Sequence, residues 1–230
     1  MSLHVRQPAQ FSADFEFLIR DALSPDTRPR LYRDRFKRLL DIALVLVAAI
    51  PVLLVLLPFC ILVALDGASP IYRQKRVGLG GRVFNMWKLR SMVVDADARL
   101  EAHLAADPRA RIEWTINQKL RHDPRITPIG HLIRKASIDE LPQLWNVLRG
   151  DMSLVGPRPM MVSQRDIYPG TAYYALRPGI TGYWQTSVRN LSSFSERARF
   201  DHAYLRDLSF GTDLAVMLRT VRVVLTGTGC

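Results

Sequence analysis

The strongest pattern in the chain is an apolar run from Ile42 to Leu65 that carries no charged residue. As one straight helix it would measure about 36 Å, enough for the hydrocarbon core of a bilayer. Pro51 and Pro58 lie inside it. A proline removes an amide donor and crowds the carbonyl one turn back, so it bends or breaks a helix. Both flanks are basic: Arg28, Arg30, Arg33, Arg35, Lys37 and Arg38 precede the run, and Arg73, Lys75, Arg76 and Arg82 follow it. Positive flanks favour the cytoplasmic side, and here both ends ask for it. Nothing after Gly67 is apolar enough to cross again. A helix broken near Pro51, dipping in and returning on the same side, satisfies both flanks. A spanning anchor and a buried core helix are the other readings, in that order.

Outside the run the pattern predicts short elements. Ser12 to Leu23 reads as a short amphipathic helix capped by Ser12. Residues 1–30 hold Arg6, Asp14, Glu16, Arg20 and Asp21 without an uninterrupted apolar core, which does not fit a signal peptide. Pro70-Ile71-Tyr72 and Val83 to Trp87 read as extended segments, joined by a hairpin turn at Gly78-Leu79-Gly80-Gly81. Residues 95–106 read as a helix with Leu100 and Leu104 on one face, ended by Asp107-Pro108. Asp123-Pro124 and Thr127-Pro128 mark loops. A helix is predicted from about Asp139 to Leu148, with Leu141, Leu144, Trp145 and Leu148 buried and Gly150 closing it. Further helices are predicted over 194–207 and 213–225. The last has Leu214, Met217, Leu218, Val221, Val224 and Leu225 at helical spacing with Arg219 and Arg222 between, as suits a membrane surface or a core. The fold class is α+β and mainly helical.

Charge sharpens this picture. Of 230 residues, 32 are Lys or Arg against 21 Asp or Glu, a net charge of +11. That balance implies an anionic partner: nucleic acid, acidic lipid headgroups or phosphorylated substrates. Cys60 and Cys230 have no neighbour at metal or redox spacing, and no two of the five histidines fall at ligand spacing. Neither a serine nucleophile elbow nor a Walker loop is present.

The chemistry concentrates at Arg134-Lys135-Ala136-Ser137-Ile138-Asp139-Glu140. The plain structural reading is a capping box, Ser137 with Glu140, and acids that complement a helix dipole. The surroundings add to it. Arg158 sits between Pro157 and Pro159 on a stiff extended backbone, a good mount for a fixed guanidinium. Lys88 and Arg90 follow the membrane run. Acids beside several cations suit phosphoryl chemistry: the acids hold a hard cation such as Mg²⁺ or attack phosphorus, and the cations cradle a diphosphate.

Six ordered segments resemble the bacterial sugar transferases, the monotopic phosphoglycosyl transferases. They are Lys37 to Asp41, Tyr72 to Gly78, Lys88 to Met92, Ser137 to Leu148, Gly150 to Pro159 and Arg177 to Gly182. The resemblance runs from about Lys37 to Gly227 and is to the minimal form, without the multi-helix domain that larger relatives place in front. It implies an N-terminal cytoplasmic arm over 1–36, a re-entrant membrane hairpin over 37–68 and a catalytic domain over 69–230. Amphipathic interfacial helices are expected around that small domain with its short strands. It further implies transfer of a sugar-1-phosphate from a UDP-sugar to undecaprenyl or another polyprenyl phosphate. Asp139 would attack the β-phosphate, UMP would leave, and a covalent aspartyl phospho-sugar would pass to the lipid, in the initiating step of exopolysaccharide or surface glycan synthesis.

Asp139 and Glu140 are then the catalytic pair and the Mg²⁺ ligands, and Lys88, Arg134 and Arg158 the phosphate-binding cations. A helix N-terminus would keep Asp139 ionised. The implied partners are the two substrates, membrane lipid, downstream glycosyltransferases and a second copy in a homodimer; nucleic acid is not among them. The implied location is the cytoplasmic face of the bacterial inner membrane. One departure is Ile50-Pro51 where relatives carry Ser-Pro at the membrane break. The non-enzymatic alternative is a membrane-tethered basic module that binds acidic lipid or nucleic acid.

Overall fold

The computed structural model describes residues 31–117, 120–187 and 194–225. The amphipathic segment expected at Ser12 to Leu23 lies outside them. The described chain is mainly helical, with two small two-stranded sheets.

The apolar run forms one helix, α1 (Lys37–Ala64), entered through a π turn over Tyr32–Phe36. Pro51 and Pro58 both sit inside it, so the expected break near Pro51 is not an interruption of the helix. Each proline deletes one donor, but the leucines and valines around it keep the remaining turns. What the helix touches is more informative. Lys37, Asp41 and Val45 near its start and Val63 near its end are buried, while Leu46, Val47, Ile50, Leu53, Leu54 and Leu57 between them are exposed.

Both buried ends rest on the same body. Near the start, Val45 joins Phe84, Met86, Val147 and Met152 in one core cluster. Near the end, Val63 joins Leu89 and Ile133 in another, with Leu56, Phe59, Cys60 and Ile138 packed against it. Polar contacts lock each end. Asp41 accepts from the Ser153 hydroxyl at 2.8 Å and the Leu154 amide at 3.1 Å. Lys37 donates to Asp213 at 2.6 Å, and the same carboxylate accepts from Tyr32 at 2.8 Å and Tyr204 at 2.6 Å. Arg38 donates to the Val147 carbonyl and, at 2.9 Å, to that of Leu148. At the far end Arg90 binds Asp66 at 2.5 Å and the Val63 carbonyl at 3.0 Å.

The expected hairpin is present as β1 (Ile71–Val77) and β2 (Val83–Leu89), antiparallel, pairing Tyr72 with Lys88, Gln74 with Met86 and Arg76 with Phe84. Its turn is the glycine cluster, with Gly80 at φ 63° and Gly81 at φ 81°, a conformation other residues resist. Next come α2 (Ala96–Ala106) and α3 (Pro108–Asn117). Asp107-Pro108 was expected to end a helix; it also begins one. The Asp107 carboxylate accepts from the Arg109 amide at 2.8 Å, and Pro108 takes the first helical position. Thr127-Pro128, expected as a loop, repeats the device. Thr127 accepts from the Gly130 amide at 2.9 Å and opens α4 (Pro128–Lys135).

The helix expected from Asp139 starts later, as α5 (Gln143–Arg149), and closes on Gly150 at φ 86° as expected. Its buried side chains are Gln143, Asn146 and Val147; Leu141, Leu144 and Leu148 are half-buried and Trp145 is exposed. The expected stripe is displaced because Asn146 is needed inside. Its side-chain oxygen accepts from the Trp87 amide at 2.9 Å and its nitrogen donates to the Asn85 carbonyl at 2.8 Å, fastening α5 along the edge of β2.

A second sheet was not foreseen. β3 (Ser153–Val155) and β4 (Gly179–Thr181) run parallel, with Ser153 opposite Gly179 and Val155 opposite Thr181. Their ends close to a distance only glycine allows: a Cβ on Gly179 would lie 2.1 Å from the Gly156 nitrogen. The short α6 (Tyr183–Thr186) follows, then α7 (Arg197–Asp207) and α8 (Phe210–Leu225). In α8 the inward side chains are Asp213 and Val216, and Met217 is half-buried. Leu214, Leu218 and Val221, of the expected apolar stripe, are exposed together with Phe210. The Val224 and Leu225 side chains lie outside the described ones.

Asp213→Ala should be strongly destabilising, because it strands the buried Lys37 ammonium and removes the acceptor of two tyrosines. The expected loss is about 3 kcal/mol, read as a fall in unfolding midpoint of the detergent-solubilised protein. Asp213→Asn should lose less.

Candidate active site

Lys88 comes from β2, on the strand face that also carries Phe84 and Met86. Arg134 comes from the last turn of α4 and is held by a 2.9 Å bond from its Nε to the Ser91 hydroxyl. After α4 the chain reverses at Ser137, which has φ 56°, the left-handed region that a residue with a side chain rarely occupies. A single tight 3-10 turn over Ile138–Glu140 then presents the two acids. Ile138 anchors that turn in the cluster around Val63 and Ile133. The capping box expected from Ser137 and Glu140 is absent, because Ser137 spends its geometry on the reversal and makes no side-chain cap bond.

The acids and cations meet at bonding distance. Lys88 Nζ lies 3.2 Å from Asp139 and 3.5 Å from Glu140. Arg158, carried on the segment between β3 and β4, reaches Glu140 at 3.7 Å. Arg134 has no direct bond to either acid but lines the same cleft as Asp139. Burial raises the pKa of Asp139 above the usual carboxylate range and Glu140 pushes the same way; Lys88 and Arg134 oppose this without cancelling it. The expected aid of an α-helix N-terminus is therefore replaced. The acid stands on a 3-10 turn, and nearby cations stabilise its charged form.

Two cavities adjoin the acid pair. An outer cleft of about 420 Å³ is lined by Tyr72, Gln74, Lys88, Arg125, Arg134 and Asp139. An inner recess of about 40 Å³ is lined by Arg76, Lys88, Glu140, Gln143 and Arg158. Lys88 borders both. Behind the recess, Arg197 is buried, donates to the Arg158 carbonyl at 2.6 Å and lies 5.1 Å over the Trp184 ring, which also carries Arg158 at 5.7 Å.

All five residues singled out in the sequence thus surround one pair of cavities. Sequence reasoning missed Arg76, Arg125, Arg197 and Trp184 as parts of it. Arg76 had a usable signal: strand alternation puts Tyr72, Gln74 and Arg76 on one face of β1, and the register sets that face beside Lys88. Arg197 and Trp184 had none, since their place depends on long-range packing.

Two adjacent carboxylates fit a hard cation only in part. Mg²⁺ commonly takes one or two carboxylates and completes its shell with water and substrate phosphates. Asp139 and Glu140 both converge on one point, now held by the Lys88 ammonium. That convergence suits an ion shared with a phosphorylated substrate.

Comparison with known proteins completes the picture. The family model for bacterial sugar transferases matches residues 32–227. The chain is 48% identical over 190 residues to a UDP-galactose-lipid carrier transferase of Erwinia amylovora, covering 80% of this chain and 40% of that protein. It is 44% identical over 199 residues to an undecaprenyl-phosphate galactose phosphotransferase of Salmonella typhimurium, covering 84% of this chain and 41% of the relative. The chain thus spans about two fifths of the length of those relatives. Against the exopolysaccharide production protein ExoY of Rhizobium meliloti, identity is 40% over 191 residues, covering 80% of this chain and 84% of that protein. With the family pattern extending over almost the whole described chain, this protein belongs to the bacterial sugar transferase family.

Proposed function

We propose that the chain transfers a sugar-1-phosphate from a UDP-sugar to undecaprenyl or another polyprenyl phosphate, releasing UMP and starting an exopolysaccharide or surface glycan. The observation that carries this reading is Asp139 held 3.2 Å from Lys88 in a cleft whose other walls include Arg125 and Arg134. A carboxylate so placed can attack an anionic phosphorus that it would otherwise repel, since the cations neutralise the approaching phosphate. In the first displacement an Asp139 oxygen bonds to the sugar-bearing phosphorus and the bond to the UMP oxygen breaks. In the second, the lipid phosphate oxygen takes the phospho-sugar and frees Asp139. Glu140 joins Lys88 to Arg158 and keeps both cations turned to the site. Asp139 and Glu140 would hold Mg²⁺, which when bound would offset charge on the phosphate oxygens. The names of the Salmonella and Rhizobium relatives support undecaprenyl phosphate and exopolysaccharide synthesis.

The membrane part of the proposal is that α1 enters the cytoplasmic leaflet and returns to it, setting the site at headgroup depth. α1 is the one helix among the described residues long and apolar enough to cross. Its middle is apolar and exposed, yet both its ends bond to the same body, through Asp41 to Ser153 and through Arg90 to Asp66 and Val63. A spanning helix carries its ends to opposite faces. The exposed row Phe210, Leu214, Leu218 and Val221 on α8, with Arg219 and Arg222 beside it, suits a helix lying in the interface.

Asp139→Asn should abolish UMP release from a panel of UDP-sugars with undecaprenyl phosphate and Mg²⁺, while membrane association persists. Retained turnover would remove Asp139 as nucleophile, and so would radiolabelled donor that never marks its peptide.

The first displacement needs ionised Asp139, so its rate should fall on acidification with a midpoint above the usual carboxylate range. Lys88→Met removes a cation that lowers that pKa, and should move the midpoint to higher pH as well as slow the step. A midpoint that stays put would separate the acid limb from Asp139.

Cysteine probes near Tyr32 and Ser69 should be labelled from the same side of sealed vesicles. Labelling from opposite sides would show a spanning helix.

A further inference from the structure

The inner recess collects more positive charge than its acids offset. Arg76, Lys88 and Arg158 line it, against the single carboxylate of Glu140. Lys88 and Arg158 each reach that carboxylate. Arg76 does not: among the described residues no carboxylate lies within ion-pair distance of it. Its guanidinium donates to the Pro159 carbonyl at 3.2 Å and the Gln74 side chain at 2.6 Å. Its Nε is sealed from solvent and meets no acceptor. Burial, then repulsion from Arg158 and Arg197, pushes its pKa down to about 10, so it remains charged at neutral pH. A buried cation without a counter-charge is costly, and a group so placed in a recess marks a candidate site where an arriving anion would pair with it.

The arginine is also rigidly held. It sits on β1 in register with Phe84, whose ring is core. Arg76 and Arg197 hold two successive carbonyls of the Arg158 loop, that of Pro159 and that of Arg158. The recess is about 40 Å³, room for a few waters or one phosphate-sized group. On the other side of Lys88 lies the much larger outer cleft with Asp139.

We propose that Arg76 binds the phosphate of the departing nucleotide in the inner recess, while the sugar-bearing phosphate lies against Asp139 in the outer cleft. This rests on Asp139 as the nucleophile. As its oxygen bonds to the sugar-bearing phosphorus, the bond from that phosphorus to the bridging oxygen breaks. The electron pair stays on the bridging oxygen, which becomes a terminal oxygen of UMP. Arg76, Arg158 and Lys88 receive that charge, and no further reactant is consumed. The donor is thereby given a direction: nucleotide towards Arg76 and Trp184, sugar towards Tyr72 and Arg134. In the second displacement the lipid phosphate oxygen attacks the same phosphorus from the side that UMP left, so its phosphate takes the place of UMP beside Arg76.

The two displacements can be measured apart on the full-length protein in nanodiscs. Formation of labelled enzyme from UDP-sugar reports the first; discharge of labelled enzyme by undecaprenyl phosphate reports the second. Arg76→Met should weaken UMP inhibition and raise the donor KM, each about tenfold or more, and should also raise the lipid phosphate concentration that half-saturates discharge. Arg76→Lys keeps a charge without the planar fork and should fall between them. Arg73→Met, on the opposite strand face, should change neither. Unchanged UMP inhibition, or an unchanged donor KM, would overturn the proposal. If Arg76→Met does not fold, Arg76→Lys is judged by the same UMP inhibition and donor KM. If the unaltered protein never becomes labelled, the nucleophile reading fails instead. Calorimetric UMP binding to the unaltered protein and to Arg76→Lys then decides on Arg76, with equal affinity counting against it.

Discussion

Charge pairing across the ends of an apolar helix organises this protein. At the start of α1, Lys37 and Asp41 are buried among Asp213, Ser153 and the tyrosines; at its end, Arg90 grips Asp66 and the Val63 carbonyl. Buried ions hold only when each has its partner in place, so the contacts of Lys37 and Asp41 set position as well as stability. They tie the exposed apolar middle of α1 to a body that carries the acids. Val63 belongs to the cluster that Ile138, the residue before Asp139, packs against, so α1 is coupled to the turn that bears the candidate nucleophile. In the proposed membrane setting, the depth of the site would follow from that packing.

The site combines opposed demands. Asp139 is buried enough for its carboxyl to resist ionisation, yet the proposed attack on phosphorus needs the charged form. Lys88 and Arg134 reconcile the two by lowering the cost of the charge without hydrating it. Ser137 in its left-handed conformation adds to the pattern, since strain in the backbone next to reacting groups persists only where packing over-determines it. The cations come from β2, α4 and the β3–β4 connection, elements far apart in sequence.

Much of this was legible in the residues. Two extended segments around a glycine turn indicated the hairpin, length and polarity indicated α1, and the acid pair with Lys88, Arg134 and Arg158 stood out as chemistry before their spatial meeting was known. What was not legible has physical reasons. Asp107-Pro108 and Thr127-Pro128 are loop signals and helix-start signals at once, and only the downstream packing decides between them. The onset of α5 moved because the backbone at Ser137 adopted a conformation that local preference disfavours. β3 and β4 are three residues each, too short for any periodicity, and their pairing depends on the close approach of Gly156 and Gly179. Trp145 and Asn146 exchanged places between inside and outside because a hydrogen-bonding requirement on β2 outweighed hydrophobicity.

Asn146 also bears on how copies of the chain would meet one another. A two-stranded ribbon ordinarily offers its outer rim to any extended peptide that comes near, and copies concentrated on a bilayer would be well placed to zip together. By imitating a neighbouring strand with one carboxamide, Asn146 occupies the Trp87 donor and the Asn85 acceptor at once. Adhesion between ribbons is discouraged along that side by a single side chain, and on the other rim the Val77 amide already donates to the Met160 carbonyl.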